Sequence, residues 1–232
     1  MEFKAPLSEI IRQTHDVKSF RFERPEDFGY KAGQYFFVSI PVNGEVQRKP
    51  FTISSSPTEK GFLEFTKKLT GHEFSNEFDA MDVGDVVVIN GPYGRFTFEG
   101  EFDKIALISG GIGITPMVSI CRYCSDTRSG TNIIILSSNK TAEDIAFRDE
   151  LGEMENKNAN LKIVHTLTRA GDDWLGCTGR ICDTIIMDYI PDLMERVIYV
   201  CGPSAMMKAT EELLLNMGVP KKQIKKEAFV GF

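Results

Sequence analysis

The chain has 232 residues with 27 basic and 33 acidic side chains, a net charge of −6, 42% hydrophobic and 26% charged content. This length suits two domains, the acidity disfavours a general nucleic-acid binder, and the apolar content disfavours wholesale disorder. The start, Met1-Glu2-Phe3-Lys4, has no apolar stretch of a secretory leader, apolar runs such as Val86–Ile89 are too short to span a bilayer, and the five cysteines are an odd, sparse set, so the expectation is a cytoplasmic protein with reduced thiols and no membrane contact.

Residues up to about 98 consist of short β-branched and aromatic runs separated by turn residues. Strands are predicted at Val17–Phe22, Gln34–Ile40, Phe51–Ser54, Phe62–Leu69 and Asp85–Asn90. Several short strands at this spacing predict a small antiparallel barrel or sandwich. Asn43-Gly44 between two extended runs predicts a type I′ turn, because both central positions need positive φ. Beyond about residue 100 the rhythm alternates. Strand-length apolar runs at Lys104–Ser109, Thr131–Ser137, Leu161–Thr168 and Arg196–Cys201, with a weaker one at Gln223–Phe229, are separated by helical segments. The helices are predicted from Pro116 onward, over Thr141–Asn156, over Asp183–Tyr189 and over Ser204–Met217, the last stopped by Gly218 and Pro220. Strand–helix alternation with nearly continuous apolar strands predicts a parallel sheet covered on both faces. The predicted boundary falls around 98–104.

Two strand–glycine turn–helix units stand out in the second half. The first is Ser109-Gly110-Gly111-Ile112-Gly113-Ile114-Thr115-Pro116, the second Cys201-Gly202-Pro203-Ser204. A glycine turn before a helix N-terminus suits an anion, yet a simple tight connection has the same appearance. Neither unit is the G-x-G-x-x-G fingerprint or a P-loop. Together they frame the crevice at the carboxyl ends of parallel strands where open α/β sheets hold ligands. In the first half, Arg48-Lys49-Pro50-Phe51-Thr52-Ile53-Ser54-Ser55 sets cations beside an aromatic and a row of hydroxyls. Taken alone, it reads as an exposed strand with a solvated basic pair. Cys121-Arg-Tyr-Cys124 lacks a second pair, and the plant-type ferredoxin spacing is absent, so no metal or cluster is expected.

In order along the chain, Ala32-Gly33-Gln34-Tyr35, Lys49 to Ser55, Gly71 to Ser75, Gly84-Asp85, Gly91-Pro92-Tyr93-Gly94, Gly110 to Pro116, Cys201-Gly202-Pro203 and Glu227-Ala228-Phe229 resemble the ferredoxin-NADP reductase superfamily. The resemblance spans essentially the whole chain. It implies a flavin-binding β-barrel over 1–99 and a parallel-sheet α/β nucleotide-binding domain over 100–232, that is, a two-domain β plus α/β fold. The implied cofactor is FAD, with FMN less favoured because Gly71 and Ser75 match the turn that receives a diphosphate. Hydride would pass from NAD(P)H to the flavin.

The resemblance assigns roles residue by residue. Lys49, flanked by Arg48 and Pro50, takes the position that meets the flavin phosphate, Phe51 the ring that packs on isoalloxazine, and Thr52 the hydroxyl near N5. Ser55, Lys67, Gly71, Phe74 and Ser75 complete the flavin side. Gly111, Gly113, Thr115, Pro116, Gly202 and Pro203 belong to the nucleotide side, with Cys201 and Glu227 near the nicotinamide and Phe229 or Phe232 over the flavin. The chain departs from the family pattern twice: Lys49 lacks the guanidinium fork, and Phe51 lacks a phenol hydroxyl. Lys140, Thr168 and Arg169 lie where the adenosine ribose is recognised, and cations there favour NADPH over NADH. The implied acceptor is a separate carrier such as a ferredoxin, a flavodoxin or an oxygenase component, for which Lys221, Lys222, Lys225 and Lys226 offer a basic cluster. Free flavin as acceptor, or service as a relay subunit, are the alternatives.

Overall fold

The computed structural model describes residues 1–228. The first part is a six-stranded antiparallel sheet. Its strands are β1 (Glu2–Arg12), β2 (Val17–Glu23), β3 (Tyr35–Val42), β4 (Glu45–Thr52), β5 (Phe62–Lys68) and β6 (Val86–Tyr93), in the order β4-β3-β6-β1-β2-β5. The sheet curls until its outer strands approach through one bridge, Ile53 to Phe65. Asn43 at φ 50° and Gly44 at φ 83° make the expected tight turn between β3 and β4. The interior is aromatic: Phe20, Phe22, Phe36 and Phe65 are all 0% exposed, and helix α1 (Glu73–Asp79) closes one side with Phe74 and Phe78.

The second part is a parallel six-stranded sheet. It comprises β7 (Lys104–Gly110), α2 (Thr115–Asp126), β8 (Asn132–Asn139), α3 (Arg148–Lys157), β9 (Leu161–Leu167), β10 (Cys177–Thr178), α4 (Asp183–Tyr189), β11 (Val197–Gly202), α5 (Ser204–Asn216) and β12 (Ile224–Ala228). The strand order is β10-β9-β8-β7-β11-β12. Alternate residues of β7 and β8 serve opposite faces, as strand geometry requires. Ile105, Leu107, Ile133 and Ile135 pack with Val118 of α2 and Leu151 of α3. Ala106, Ile108, Ile134 and Leu136 pack with Ile186 of α4 and Leu214 of α5. Both faces are thus covered, which is why these strands read as continuous apolar runs. Among the described residues no helix is long and apolar enough to cross a membrane.

Three elements differ from the sequence expectation. The helix predicted over Thr141–Asn156 is broken. A short 3₁₀ turn at Ala142–Asp144 carries the Thr141/Asp144 capping box, and α3 starts only at Arg148. Between them Phe147 takes φ 59°, its side chain 2% exposed, and its N–H donates to Gln13 Oε1 at 3.2 Å. Burial of this side chain and a backbone bond to the barrel thus override helical propensity. Strand β1 carries no clean alternation because a bulge between Leu7 and Glu9 shifts its register on β2. Helix α1 lies in what reads locally as a turn. It forms because Phe74 and Phe78, four residues apart, both reach the aromatic core.

Candidate active site

A cavity of about 800 Å³ opens between the two sheets. Its barrel wall is formed by Lys49, Pro50, Phe51 and Thr52 from β4, Thr66, Lys67 and Lys68 from β5, and the Thr70–Ser75 segment, with Tyr35, Phe37 and Gln47 at the edge. Its opposite wall is Ile112 and Thr115 at the head of α2 and Glu227 and Ala228 of β12. Residues far apart in sequence therefore converge on one concave, largely apolar space, the usual form of a small-molecule site.

Phe51 stacks on Phe65, with centroids 4.4 Å apart and planes at 27°, and lies nearly parallel to Phe74. The ring is thus fixed by neighbours while remaining on the cavity wall. Lys67 is nearly inaccessible. Its Nζ donates to Ser75 Oγ at 2.6 Å and to the Lys68 carbonyl at 3.1 Å. Burial pulls this ammonium down to about 8. Ser75 Oγ also accepts from Thr70 N–H at 3.0 Å, so the segment around Gly71 is closed on itself beneath the cavity. His72, beside it, is exposed and lines the rim.

Among the described residues, two buried polar atoms in residues of the cavity walls have no partner. Thr52 Oγ1 is one, in a residue 5% exposed. Glu227 Oε2 is the other; desolvation pushes this carboxyl up to about 7. Cys201 pairs with Glu227 in the β11–β12 register and is 0% exposed; burial first, then the Glu227 charge, raises its thiol well above the ordinary value. Buried polar groups are nearly always paired, so two orphan atoms in residues that line one cavity make Thr52 and Glu227 candidates for ligand contact; Ser109, His165 and Gln223 hold the other unpartnered atoms, away from the cavity. An aromatic-walled space with three lysines, a hydroxyl and a carboxyl without partners fits a flavin together with a nicotinamide.

Several sequence-selected residues lie elsewhere. Arg48 is turned away from the cavity. Its guanidinium lies 4.0 Å from the Phe37 ring centroid and donates to Asn90 Oδ1 at 3.0 Å, which holds it outside the cavity lining. Ser55 Oγ accepts from Glu64 N–H at 3.0 Å and contacts Tyr30 Oη at 2.9 Å, and its carbonyl takes a bond from Ser119, so it points into the junction of the sheets. A Cβ on Gly113 would lie 2.3 Å from the Cys201 carbonyl oxygen, and one on Gly202 3.1 Å from Gly110 N. The two glycine turns therefore press directly on one another, and this pair needs glycine for close packing. Gly111 has open space around it, and Pro116 and Pro203 sit at the heads of α2 and α5. Lys140, Thr168 and Arg169 are exposed at the carboxyl ends of adjacent strands. Thr168 N–H donates to Asn139 O at 3.0 Å and Arg169 N–H to Lys140 O at 2.8 Å, which holds the backbones of residues 140 and 169 side by side. Phe229 and Phe232 lie outside the described residues.

The lysine cluster near the end is partly committed. Lys225 Nζ donates to Tyr199 Oη at 2.8 Å and pairs with Glu101 at 3.3 Å, while Lys226 pairs with Glu211 at 2.5 Å. Sequence reading passed over Tyr35, Phe37, Thr66, Lys68 and Ile112 as cavity residues. Tyr35 and Ile112 sit within motifs it did select, whereas Thr66 and Lys68 carry no local signal.

Comparison with known proteins agrees with this division. The family "Oxidoreductase FAD-binding domain" matches residues 4–98, and "Oxidoreductase NAD-binding domain" matches residues 107–212. The glycine betaine monooxygenase reductase subunit of Chromohalobacter salexigens is 31% identical over 95% of this chain, and the chain spans 62% of that relative's length. NADH-cytochrome b5 reductase 2 of Danio rerio is 30% identical, covering 97% of this chain and 84% of the relative. Among solved structures, the cytochrome b5 reductase domain of Ulva prolifera nitrate reductase superposes with a TM-score of 0.86 at 26% identity, over 98% of this chain and 97% of that one.

Proposed function

The chain belongs to the ferredoxin-NADP reductase superfamily, and from that premise we propose that it takes a hydride from NADPH onto bound FAD and passes the electrons to a separate carrier protein. The observation that carries this reading is the cavity between the sheets, lined by Thr52 and Glu227 with their orphan atoms Oγ1 and Oε2. Bound flavin supplies hydride acceptance and the release of electrons in ones or twos; the protein supplies orientation and hydrogen bonds.

In this reading residues 1–99 hold the flavin and 100–232 the nucleotide. Thr52 donates its hydroxyl to the flavin ring. Phe51 packs against that ring, and Lys49, Lys67 and the Gly71–Ser75 segment meet its phosphates. Gly111, Thr115 and Pro116 with Gly202 and Pro203 shape the nucleotide crevice, and Gly113 lets the two turns meet. Glu227, largely protonated below about pH 7, offers an O–H to the nicotinamide end, beside the thiol of Cys201. The NADPH preference rests on Lys140 and Arg169, whose backbones are held side by side; one charged hydrogen bond of about 1.5–3 kcal/mol corresponds to about 10- to 100-fold. An oxygenase component or similar carrier as acceptor is supported by the Chromohalobacter salexigens relative, a monooxygenase reductase subunit. Free cysteines throughout support a reducing compartment such as the cytoplasm.

Anaerobic titration tests this. Purified protein loaded with FAD should lose its visible flavin band on adding NADPH, with kcat/KM higher for NADPH than for NADH. Equal or higher efficiency with NADH would refute the nucleotide preference. Protein that holds no flavin yet turns over added free flavin would replace the carrier reading with a flavin reductase.

A further inference from the structure

Outside the cavity, the strongest concentration of buried charge lies where the two sheets meet. Glu64 of β5 is 0% exposed. Its Oε2 accepts from Arg21 Nε at 2.9 Å, and its Oε1 accepts from Ser54 Oγ at 2.9 Å and from Arg122 Nη1 at 3.0 Å. Arg21 and Ser54 belong to the barrel, whereas Arg122 comes from α2 of the parallel sheet. Arg122 Nη1 also donates to the Ser54 carbonyl at 2.8 Å, and its Nη2 donates to Glu150 of α3 at 2.8 Å. One helical turn earlier, Ser119 Oγ donates to the Ser55 carbonyl at 2.7 Å.

This geometry connects the cavity's two walls through a short rigid path. The head of α2 forms the nucleotide-side wall at Ile112 and Thr115. Ser119 and Arg122 lie on the same helix about 6 and 10 Å further along its axis. They grip the carbonyls of Ser55 and Ser54, the third and second residues after Thr52, which lines the cavity. Two attachment points on one helix fix its direction as well as its distance. Buried ion pairs contribute little net stability against an apolar replacement, and their best-attested use is to set register. A guanidinium suits that use because its planar fork reaches Ser54, Glu64 and Glu150 together, which an ammonium cannot do.

We infer that Arg122 is a positioning residue: through Glu64 and the Ser54 carbonyl it fixes Thr52 relative to the glycine turn at the head of α2, and so sets the spacing between the flavin-facing and nicotinamide-facing walls. The inference rests on the hydride-transfer reading above. A displacement of about 1 Å in such a site costs up to about 100-fold in rate.

The test uses the full chain with R122K, R122M and the milder S119A. In single-turnover experiments at saturating NADPH, flavin bleaching in FAD-loaded R122K and R122M should slow at least about tenfold, and in S119A about threefold, while FAD content and nucleotide Kd stay within about twofold of wild type. A second readout needs no cofactor. Calorimetry of the FAD-free protein should give one transition for wild type and two for R122M, because the sheets no longer unfold together. Wild-type bleaching rates in the FAD-loaded Arg122 variants, or losses that merely follow lost FAD, would overturn the inference. Wild-type protein whose bound flavin no nicotinamide reduces would instead overturn the functional reading and the positioning role with it.

Discussion

Glu64 and Glu227 are both glutamates at the junction of the two sheets, and the fold treats them oppositely. Glu64 receives two guanidiniums and a hydroxyl. Glu227 keeps an inaccessible Oε2 with no donor and is pushed up to about 7 by desolvation. Thr66 and Thr52 repeat the contrast. Thr66 Oγ1 lies 2.7 Å from Ser19 Oγ and 3.1 Å from Ser54 Oγ, whereas Thr52 Oγ1 has no partner. Unpaired buried groups cost stability. Thr52 and Glu227 both line the cavity, and among the described residues they are two of the five that keep a buried polar atom without a partner.

Removing the satisfied carboxylate should have the largest effect. Glu64→Ala removes the buried carboxylate that Arg21 and Arg122 share and leaves them only their outer partners Glu9 and Glu150, an expected loss of about 3 kcal/mol in urea denaturation. A loss below about 1 kcal/mol would erase the contrast.

The open carboxyl should instead show itself through pH. Glu227 is raised from 4.5 to about 7 in the folded protein, so its neutral form is favoured there. The associated stability is fully present below about 4.5 and lost as pH rises through about 7. Glu227→Gln mimics the neutral form and removes this dependence. Relative to that variant, wild type should lose on the order of 3 kcal/mol across the interval. A flat difference between the two proteins would mean that the carboxyl is solvated.

Lys49 is exposed on the rim, so its contribution is smaller and screened by salt. Lys49→Ala should weaken FAD binding about tenfold, or about 1.4 kcal/mol, by fluorescence titration, and the difference should shrink at high salt. The smallest stability change belongs to Thr52→Val. Removing an unpaired hydroxyl should leave the FAD-free protein within about 0.5 kcal/mol of wild type, while flavin bleaching slows. A loss above about 2 kcal/mol would show that the hydroxyl serves the fold.

The contrast also explains what could be read from the sequence. The Gly110–Pro116 turn and the parallel apolar strands announce themselves locally, because tight turns and strand burial impose short-range patterns, whereas the Lys49–Ser55 stretch reads alone as an exposed strand. Arg48 and Lys49 were not separable by strand alternation, because the cavity takes Lys49, Pro50, Phe51 and Thr52 from both faces of β4; the Asn90 and Phe37 contacts decide it. The Glu64–Arg122 pair was not legible: its partners are 58 residues apart, and each looks like an ordinary surface charge. The break before α3 was hidden for the same reason, because Phe147 answers to Gln13 across the sheet junction rather than to its helical neighbours. The role of Gly113 became clear only when its contact with Cys201 was seen.

The most direct test of the central claim is a crystal structure of the FAD-loaded protein. The account predicts the isoalloxazine in the cavity between the sheets, with a ring atom about 3 Å from Thr52 Oγ1 and the phosphates toward Lys49 and the Gly71–Ser75 segment. A flavin bound elsewhere, or one in this cavity that leaves Thr52 Oγ1 without a partner, would contradict it.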